Sequence, residues 1–229
     1  MIAVALMLAV ASATPSVADA ERAFAAMAGR DGQWTAFRAT AAPDAVMFVP
    51  GMVKAQDWLK GRADPPQAVA WLPASTLTAC DGSLAVTAGP WTSSRGQGAF
   101  LTIWRATSGG WRWVLDQIHE TPRPLPTPVA SVDKRASCDD AAKAAGALTT
   151  AVVAADLVIQ RDKAMPDQDR SSLPATLDEA WTRLSEGRSA DGTLRWVVDG
   201  DAVSGRRMLV IHAWNGRVFD IARVELSMP

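Results

Sequence analysis

The feature that most restricts the fold of this chain is a series of five strand-like segments in its first half. They are rich in β-branched and aromatic residues, and turn sequences such as Asp81-Gly82 and Ser108-Gly109-Gly110 separate them. The segments are residues 69–72, 76–80, 84–89, 99–106 and 111–118. Because strands of similar length joined by short turns pair as hairpins, the sequence predicts an antiparallel meander.

The region before the meander has a helical pattern. Apolar residues recur there at helical spacing: Val17, Ala20, Phe24 and Met27. Ser16 is a candidate N-cap for this first helix, and residues 34–41 indicate a second one. Residues 46–49 indicate a short strand, followed by one helical turn at residues 56–60. Helices followed by a meander predict an α+β domain over residues 14–120, whose helices pack on one face of the sheet.

A proline-rich segment ends this first domain. Proline occupies every second position from Pro122 to Pro128, which predicts an extended linker over residues 121–136. The C-terminal extension, residues 137–229, is expected to pack on the first domain. Its predicted elements are a helix at residues 141–159, a helix at residues 177–184, and a three-stranded antiparallel meander at residues 193–199, 207–214 and 217–226.

The first residues are typical of a secretory signal peptide. Residues 2–10 are an uninterrupted apolar run, too short for a membrane span, and Ala11-Ser12-Ala13 follows as a cleavage motif. We expect residues 1–13 to be removed and the protein to be periplasmic or secreted. The alternatives are a buried first helix or a start codon placed too late.

The two cysteines, Cys80 and Cys138, fit the same compartment. If they are bonded, they close a loop of about 59 residues, which stabilises the fold by about 4 kcal/mol on the chain-entropy model. The alternative is two unrelated small core residues.

Charge and motif content exclude several function classes. The chain has 23 Lys and Arg against 24 Asp and Glu, so no basic surface for nucleic acid or for an anionic membrane is expected. It has no Gly-rich phosphate loop and no G-x-S-x-G motif, and its two His with no C-x-x-C do not indicate a zinc site. We therefore expect no cofactor, no metal and no membrane contact after processing.

Five short segments of the first domain match the pattern of a known superfamily. They are Glu21-Arg22-Ala23-Phe24, residues 45–51, Gly89-Pro90-Trp91, residues 102–105 and residues 110–116. Together with the order of elements they resemble the NTF2-like superfamily, in its SnoaL-like/DUF4440-like branch, over residues 16–120. The resemblance implies a cone of helices and curved antiparallel sheet around a cavity. It implies no single activity, because the superfamily contains isomerases, dehydratases, hydrolases, carriers and association domains.

Tryptophan supplies the candidate cavity lining. The chain has 10 Trp, 5 Phe and no Tyr, so large apolar rings are available but a phenol acid is not. In the implied cone we expect a ligand pocket lined by Trp34, Phe48, Trp58, Trp71, Trp91, Trp104 and Trp113. The alternative for each ring is a place in the core.

The last predicted strand of the cone carries the candidate catalytic groups. Active members of the superfamily often place a carboxylate and a His in the cavity, which here implies Asp116 with His119, or with Glu120. Strand alternation puts Asp116 and Glu120 on one face and Gln117 and His119 on the other, so a direct dyad requires a bulge or a strand end.

Three functions remain open at this point. The first is binding of a small apolar or amphipathic molecule without turnover, which the Trp set favours. The second is a small enzyme of the isomerase, dehydratase or hydrolase type. The third is a non-catalytic association domain that forms a homodimer through its sheet.

Overall fold

The computed structural model of the protein describes residues 15–146, 151–161 and 181–227. These residues form two β-sheets and four helices. The helices are α1 (Val17–Asp31), α2 (Gln33–Thr40), α3 (Ala55–Leu59) and α4 (Ala141–Ala144). The first sheet contains β1 (Ala41–Phe48), β2 (Met52–Lys54), β3 (Ala70–Trp71), β4 (Ser75–Thr78), β5 (Leu84–Ser93), β6 (Gly96–Thr107), β7 (Gly110–Glu120) and β8 (Val132–Arg135). The second contains β9 (Ala151–Arg161), β10 (Thr182–Arg188), β11 (Leu194–Gly200), β12 (Arg207–Trp214) and β13 (Phe219–Ser227).

The first sheet contains the predicted meander. Its strand order is β2-β1-β7-β6-β5-β4-β8, with β3 beside β5, and the pairs β4–β5, β5–β6 and β6–β7 are antiparallel. Strand β1 joins parallel to β7 at the far side. Helices α1 and α2 pack on the inner face, where Phe24 and Phe37 contact the ring of Trp71. The first domain therefore has the predicted α+β architecture of an NTF2-like cone.

The junction between α1 and α2 depends on a glycine. The N–H of Asp19 donates to the Ser16 hydroxyl at 3.2 Å, as predicted for an N-cap, and α1 ends where Gly32 has φ of 108°. A Cβ at Gly32 would lie 2.4 Å from the Asp64 carboxyl, which accepts hydrogen bonds from the N–H and the hydroxyl of Thr35. Only glycine allows both this backbone conformation and this close approach.

The second sheet contains the predicted C-terminal meander and two further strands. Its order is β10-β11-β12-β13-β9; β10 to β13 are antiparallel neighbours, and β9 joins β13 in parallel. The helix predicted at residues 141–159 is wrong over residues 151–159, because residues 151–161 pair with β13 as a strand, and residues 147–150 lie outside the described residues. Of the helix predicted at residues 177–184, residues 182–184 belong to β10, and residues 177–180 lie outside the described residues. The predicted signal peptide, residues 1–13, also lies outside them.

The segment predicted as a linker is partly ordered into the first sheet. Within residues 121–136, β8 pairs in parallel with β4. This pairing places the ends of β4 and β8 side by side, and Cys80 and Cys138, which follow them, form a disulfide with a Cα–Cα distance of 5.1 Å. The disulfide thus joins the end of β4 to the segment that leads from the first sheet to the second.

The second sheet covers the outer face of the first. One hydrophobic core contains fully buried residues of both sheets: Leu101, Ile103 and Leu115 from the first, and Leu194, Leu209 and Ile211 from the second. Two sheets packed face to face in this way form a sandwich. The outer face, through which we expected a second copy to pair, is covered by the chain's own extension.

The turns at one end of the sandwich bind each other through hydrogen bonds from backbone N–H groups to side-chain oxygens. The N–H of Asp81 donates to the carboxylate of Asp191 at 2.9 Å, and the N–H of Asp191 donates back to Asp81 at 2.9 Å. The N–H of Cys80 donates to the Thr193 hydroxyl at 2.9 Å. These contacts join the β4–β5 turn to the β10–β11 turn and fix the position of the extension on the first domain.

None of the helices in the described ranges combines the length and the apolar character needed to cross a bilayer.

Candidate functional site

A cavity of about 110 Å³ lies between the helices and the inner face of the first sheet. Its wall is almost entirely apolar. It is lined by Gln33, Trp34, Phe37, Met47, Phe48, Val49, Val69, Trp71, Trp91, Phe100, Asp116, Gln117 and Ile118. Val49 and Ile118 are 36% and 50% exposed, so the cavity opens to solvent beside them. We call it the cone cavity.

The aromatic residues predicted to line a pocket divide into two groups. Trp34, Phe48, Trp71 and Trp91 line the cone cavity. The other three, Trp58, Trp104 and Trp113, do not line it.

Core packing explains the second group. The ring of Trp58 packs edge-on against Trp34 with the Arg62 guanidinium over it, and Trp104 and Trp113 are completely buried. The indole of Trp113 donates to the Thr40 hydroxyl at 3.0 Å. The prediction of a pocket role is therefore wrong for these three rings.

The most polar point of the cone interior is Glu21 on α1. Its side chain is fully buried and accepts hydrogen bonds from the indole N–H of Trp71 at 2.6 Å and of Trp104 at 2.9 Å, and from the Thr87 hydroxyl at 2.5 Å. Burial raises the pKa of Glu21 above its usual range, although these hydrogen bonds favour the ionised form. Glu21 is thus the acceptor for two buried indole N–H groups, those of Trp71 and Trp104.

Asp116 on β7 is the second buried carboxyl group, and it lines the cone cavity. The Thr102 hydroxyl donates to it at 2.9 Å. Burial, and then the neighbouring Glu21 carboxylate, raise the pKa of Asp116 to about 7, while the hydrogen bond from Thr102 lowers it. A carboxyl group with this pKa is present in both protonation states near neutral pH, so it can donate or accept a proton.

A β-bulge determines which β7 residues face the cone. Ile103 pairs with Leu115 and Trp104 pairs with Trp113, so Val114 has no partner on β6. The extra residue puts Trp113 on the same face as Asp116, although strict alternation predicts opposite faces. Asp116 pairs with Thr102, two residues from Trp104, and shares its face.

The structure does not bring Asp116 and His119 together, so the predicted dyad is wrong. His119 is on the opposite face of β7, buried between the two sheets. Its Nε2 lies 2.5 Å from the Glu225 carboxylate and its Nδ1 lies 3.0 Å from the Ser227 hydroxyl. Both partners belong to β13, and the fully buried ring has no access to the cone cavity.

Glu120 does not complete a pair with Asp116 either. It lies half-buried at the end of β7, pairs with Gly98, and is not part of the cavity wall. The carboxyl group that acts on Asp116 is Glu21, which the sequence reasoning did not select. A signal for it was present: Glu21 is four residues after Val17 and three before Phe24, on the buried face of α1.

In the part of the chain that the structure describes, no group of three or more His, Cys, Asp or Glu side chains is arranged to hold a metal ion.

The fold and the cavity define an α+β cone whose outer face is covered by a second sheet. No family model matches the chain, and no curated protein matches it. Solved structures match about half of this chain at low identity and with TM-scores below 0.4.

Three of these structures are as follows. A candidate calcium/calmodulin-dependent protein kinase II association domain from Xanthomonas campestris is 15% identical, with 49% of this chain and 94% of that chain covered and a TM-score of 0.34. A candidate ketosteroid isomerase from Kribbella flavida is 19% identical, with coverages of 50% and 85% and a TM-score of 0.35. A candidate aromatic ring hydroxylase from Novosphingobium aromaticivorans is 14% identical, with coverages of 48% and 90% and a TM-score of 0.35.

Proposed function

We propose that the protein binds a small, mostly apolar molecule with one polar group in the cone cavity. The observation that carries the proposal is Asp116, a buried carboxyl group with a pKa of about 7 in the wall of an apolar cavity. Ligand pockets are typically apolar with a few polar groups that orient the ligand. The volume of about 110 Å³ is below the range of about 300–1,000 Å³ for drug-sized pockets, so the ligand is the size of a single ring.

Ligand binding can be tested with the intrinsic fluorescence of Trp71 and Trp91. Phenol and benzene are titrated into the protein, and we expect phenol to bind more tightly because its hydroxyl reaches Asp116. Val69→Trp, which fills the cavity, should weaken phenol binding at least tenfold, and Asp116→Asn should reduce the preference for phenol over benzene. Asp57→Asn, at an exposed carboxylate on α3, is the matched control and should change neither. Equal titration curves for the parent and Val69→Trp would refute the proposal.

A second candidate function is proton transfer to or from the bound molecule. A general base works best when its pKa is near the working pH, and the pKa of Asp116 is about 7. We expect the protein to accelerate deuterium exchange beside the carbonyl of a small cyclic ketone, measured by NMR, and Asp116→Asn to remove this acceleration. His119→Gln should retain it, because His119 has no access to the cavity. If the ketone exchanges deuterium no faster with the protein than without it, the proton-transfer function is refuted and the binding proposal is unaffected.

We also propose that the protein is exported, with residues 1–13 as the signal peptide and a periplasmic or secreted location. The support is the disulfide between Cys80 and Cys138, since such bonds persist in oxidising compartments. Fractionation of expressing cells with N-terminal sequencing tests this, and we expect a mature chain that begins at Thr14. Because the extension packs on the outer face of the first sheet in the described residues, we propose that any homodimer forms through another surface.

A further inference from the structure

A second and larger cavity lies between the two sheets, separate from the cone cavity. It has a volume of about 380 Å³, which is within the range of about 300–1,000 Å³ typical of small-molecule sites. Its walls come from β4, β5 and β8 of the first sheet and from β9, β12 and β13 of the second. We call it the inter-sheet cleft. None of its lining residues lines the cone cavity.

Small side chains keep the inter-sheet cleft open. Leu77, Val86 and Ile211 form an apolar floor. Five alanines contribute to the walls where larger residues would fill the space: Ala88, Ala136, Ala154, Ala213 and Ala222. Elsewhere between the sheets, the fully buried side chains of Leu101, Ile103, Leu194, Leu209 and Ile211 pack in one core. The cleft therefore has room for an apolar body such as an alkyl chain.

The polar groups of the cleft include a mostly buried cation with unused donors. The Arg223 side chain is 14% exposed, and its Nε donates to the Glu225 carboxylate. Its two terminal nitrogens donate no hydrogen bond to any residue that the structure describes. A guanidinium group binds a carboxylate through parallel N–H donors, so Arg223 presents a vacant edge for an anion.

The cleft contains further charged groups. Its lining has three cations, Lys134, Arg135 and Arg223, and two acids, Asp156 and Asp220, and with Glu225 beside Arg223 the opposite charges are equal in number. Lys134 on β8 pairs with Asp156 on β9 at the exposed side of the cleft, and this pair bridges the two sheets. Because exposed ion pairs are weak, this bridge opens at low cost to admit a ligand.

We propose that the inter-sheet cleft binds a small amphipathic monoanion, whose apolar body packs on the alanine-lined walls and whose carboxylate binds Arg223. Glu225 orients the guanidinium from the other side. Burial alone would raise the pKa of Glu225, but Arg223 and His119 hold it below its usual range, so Glu225 stays ionised. The cleft and the cone cavity are then two sites with different ligand chemistry.

Decanoate is the probe for this site, and calorimetry on the full chain is the measurement. We expect decanoate to bind at least tenfold more tightly than decanol, because decanol lacks the anion. Arg223→Gln should weaken decanoate binding at least tenfold, and Ala222→Leu should do the same by filling the wall. Asp116→Asn and Val69→Trp, in the cone cavity, should leave decanoate binding unchanged.

Two further variants cover the case in which Arg223→Gln or Ala222→Leu does not fold. Arg223→Lys keeps the charge beside Glu225 but loses the parallel donors, and Ala154→Leu fills the cleft from the edge strand β9. Both should weaken decanoate binding while the circular dichroism spectrum stays that of the parent. The proposal is overturned if decanoate does not bind, if decanol binds equally well, or if Val69→Trp abolishes the binding. The first two results do not bear on whether phenol binds in the cone cavity, whereas the third would place decanoate in that cavity.

Discussion

At the scale of single residues, the chemistry of the cone depends on two carboxyl groups taken out of water. Glu21 is held by indole and hydroxyl donors, whereas Asp116 has one donor, Thr102, and faces the cavity. Glu21, which accepts more hydrogen bonds, lies in the core, and Asp116, which accepts one, lies in the wall of the cone cavity. Asp116 is therefore the side chain whose protonation a ligand, or the pH, changes.

The raised pKa of Asp116 leads to a prediction about pH and stability. In the folded protein Asp116 keeps its proton up to a pH of about 7, whereas in the unfolded chain it ionises near its usual pKa of 3.8, so the parent loses stability as the pH rises from about 4 to about 7. About a third of this loss is present at pH 5 and almost all of it by pH 8. Asp116→Asn removes it, so between these pH values the variant should gain about 2–3 kcal/mol of unfolding free energy relative to the parent.

Denaturant unfolding of both proteins at pH 5 and pH 8 measures this difference. The exposed Asp57→Asn variant is the control and should follow the parent at both pH values. A parent and an Asp116→Asn variant with parallel pH profiles would show that Asp116 ionises normally in the folded state.

At the scale of elements, β7 carries both the cavity residue and the contact between the sheets. Its inner face holds Trp113 and Asp116 in the cone, and its other face holds Gln117 and His119 against β12 and β13. The Arg207 side chain on β12 donates to Gln117 at 3.0 Å and lies 3.9 Å above the ring of Phe48. One strand thus connects the cavity to the second sheet.

The bulge at Val114 is what lets Trp113 and Asp116 share a face although they are three residues apart. Deleting Val114 leaves them two positions apart in a regular strand, so both still face the cone. We therefore expect the deletion to cost only about 1–3 kcal/mol, mainly the lost burial of the Val114 side chain, and Val114→Ala to cost about 1–2 kcal/mol. Denaturant unfolding compares the two, and a cost of the deletion far above that of Val114→Ala would show that the bulge itself is needed.

At the scale of the whole molecule, the extension is held to the cone by a shared core, by paired turns and by a covalent bond. The core includes residues of both sheets, and the Asp81 and Asp191 turns bind each other. His119, Glu225 and Arg223 add a buried ionic group between the sheets. The two halves of the chain should therefore unfold together.

Loss of the disulfide is the prediction at this scale. Cys80 and Cys138 are 58 residues apart, and opening this loop should lower the free energy of unfolding by about 4 kcal/mol on the chain-entropy model. We expect the double variant Cys80→Ala with Cys138→Ala, and the reduced parent, to unfold at the same lower denaturant concentration in one transition. The reductant should not affect the double variant. An unchanged midpoint after reduction would contradict the prediction.

Local sequence pattern was sufficient to predict most of the cone. Turn residues and β-branched runs predicted β3 to β7, helical spacing and Ser16 predicted α1, and the C-terminal meander followed from the same rules. These features depend on neighbours within a few residues, so the sequence itself contains them. The strand β9 was predicted as a helix because local pattern does not reveal its parallel partner, β13, whose paired residues lie more than sixty positions away, as for Ala151 and Phe219.

The site depended on contacts that no local pattern encodes. A single extra residue, Val114, puts Trp113 on the opposite face from the one that strict alternation predicts. His119 contacts Glu225 of the second sheet and not Asp116. Glu21 became part of the cone interior because Trp71, Thr87 and Trp104 converge on it from three different strands. The sequence by itself determined the elements of the cone, because propensity and turn chemistry are local. Tertiary structure alone decided which carboxyl groups lose water and face each other, because burial and pairing are set by packing between distant segments.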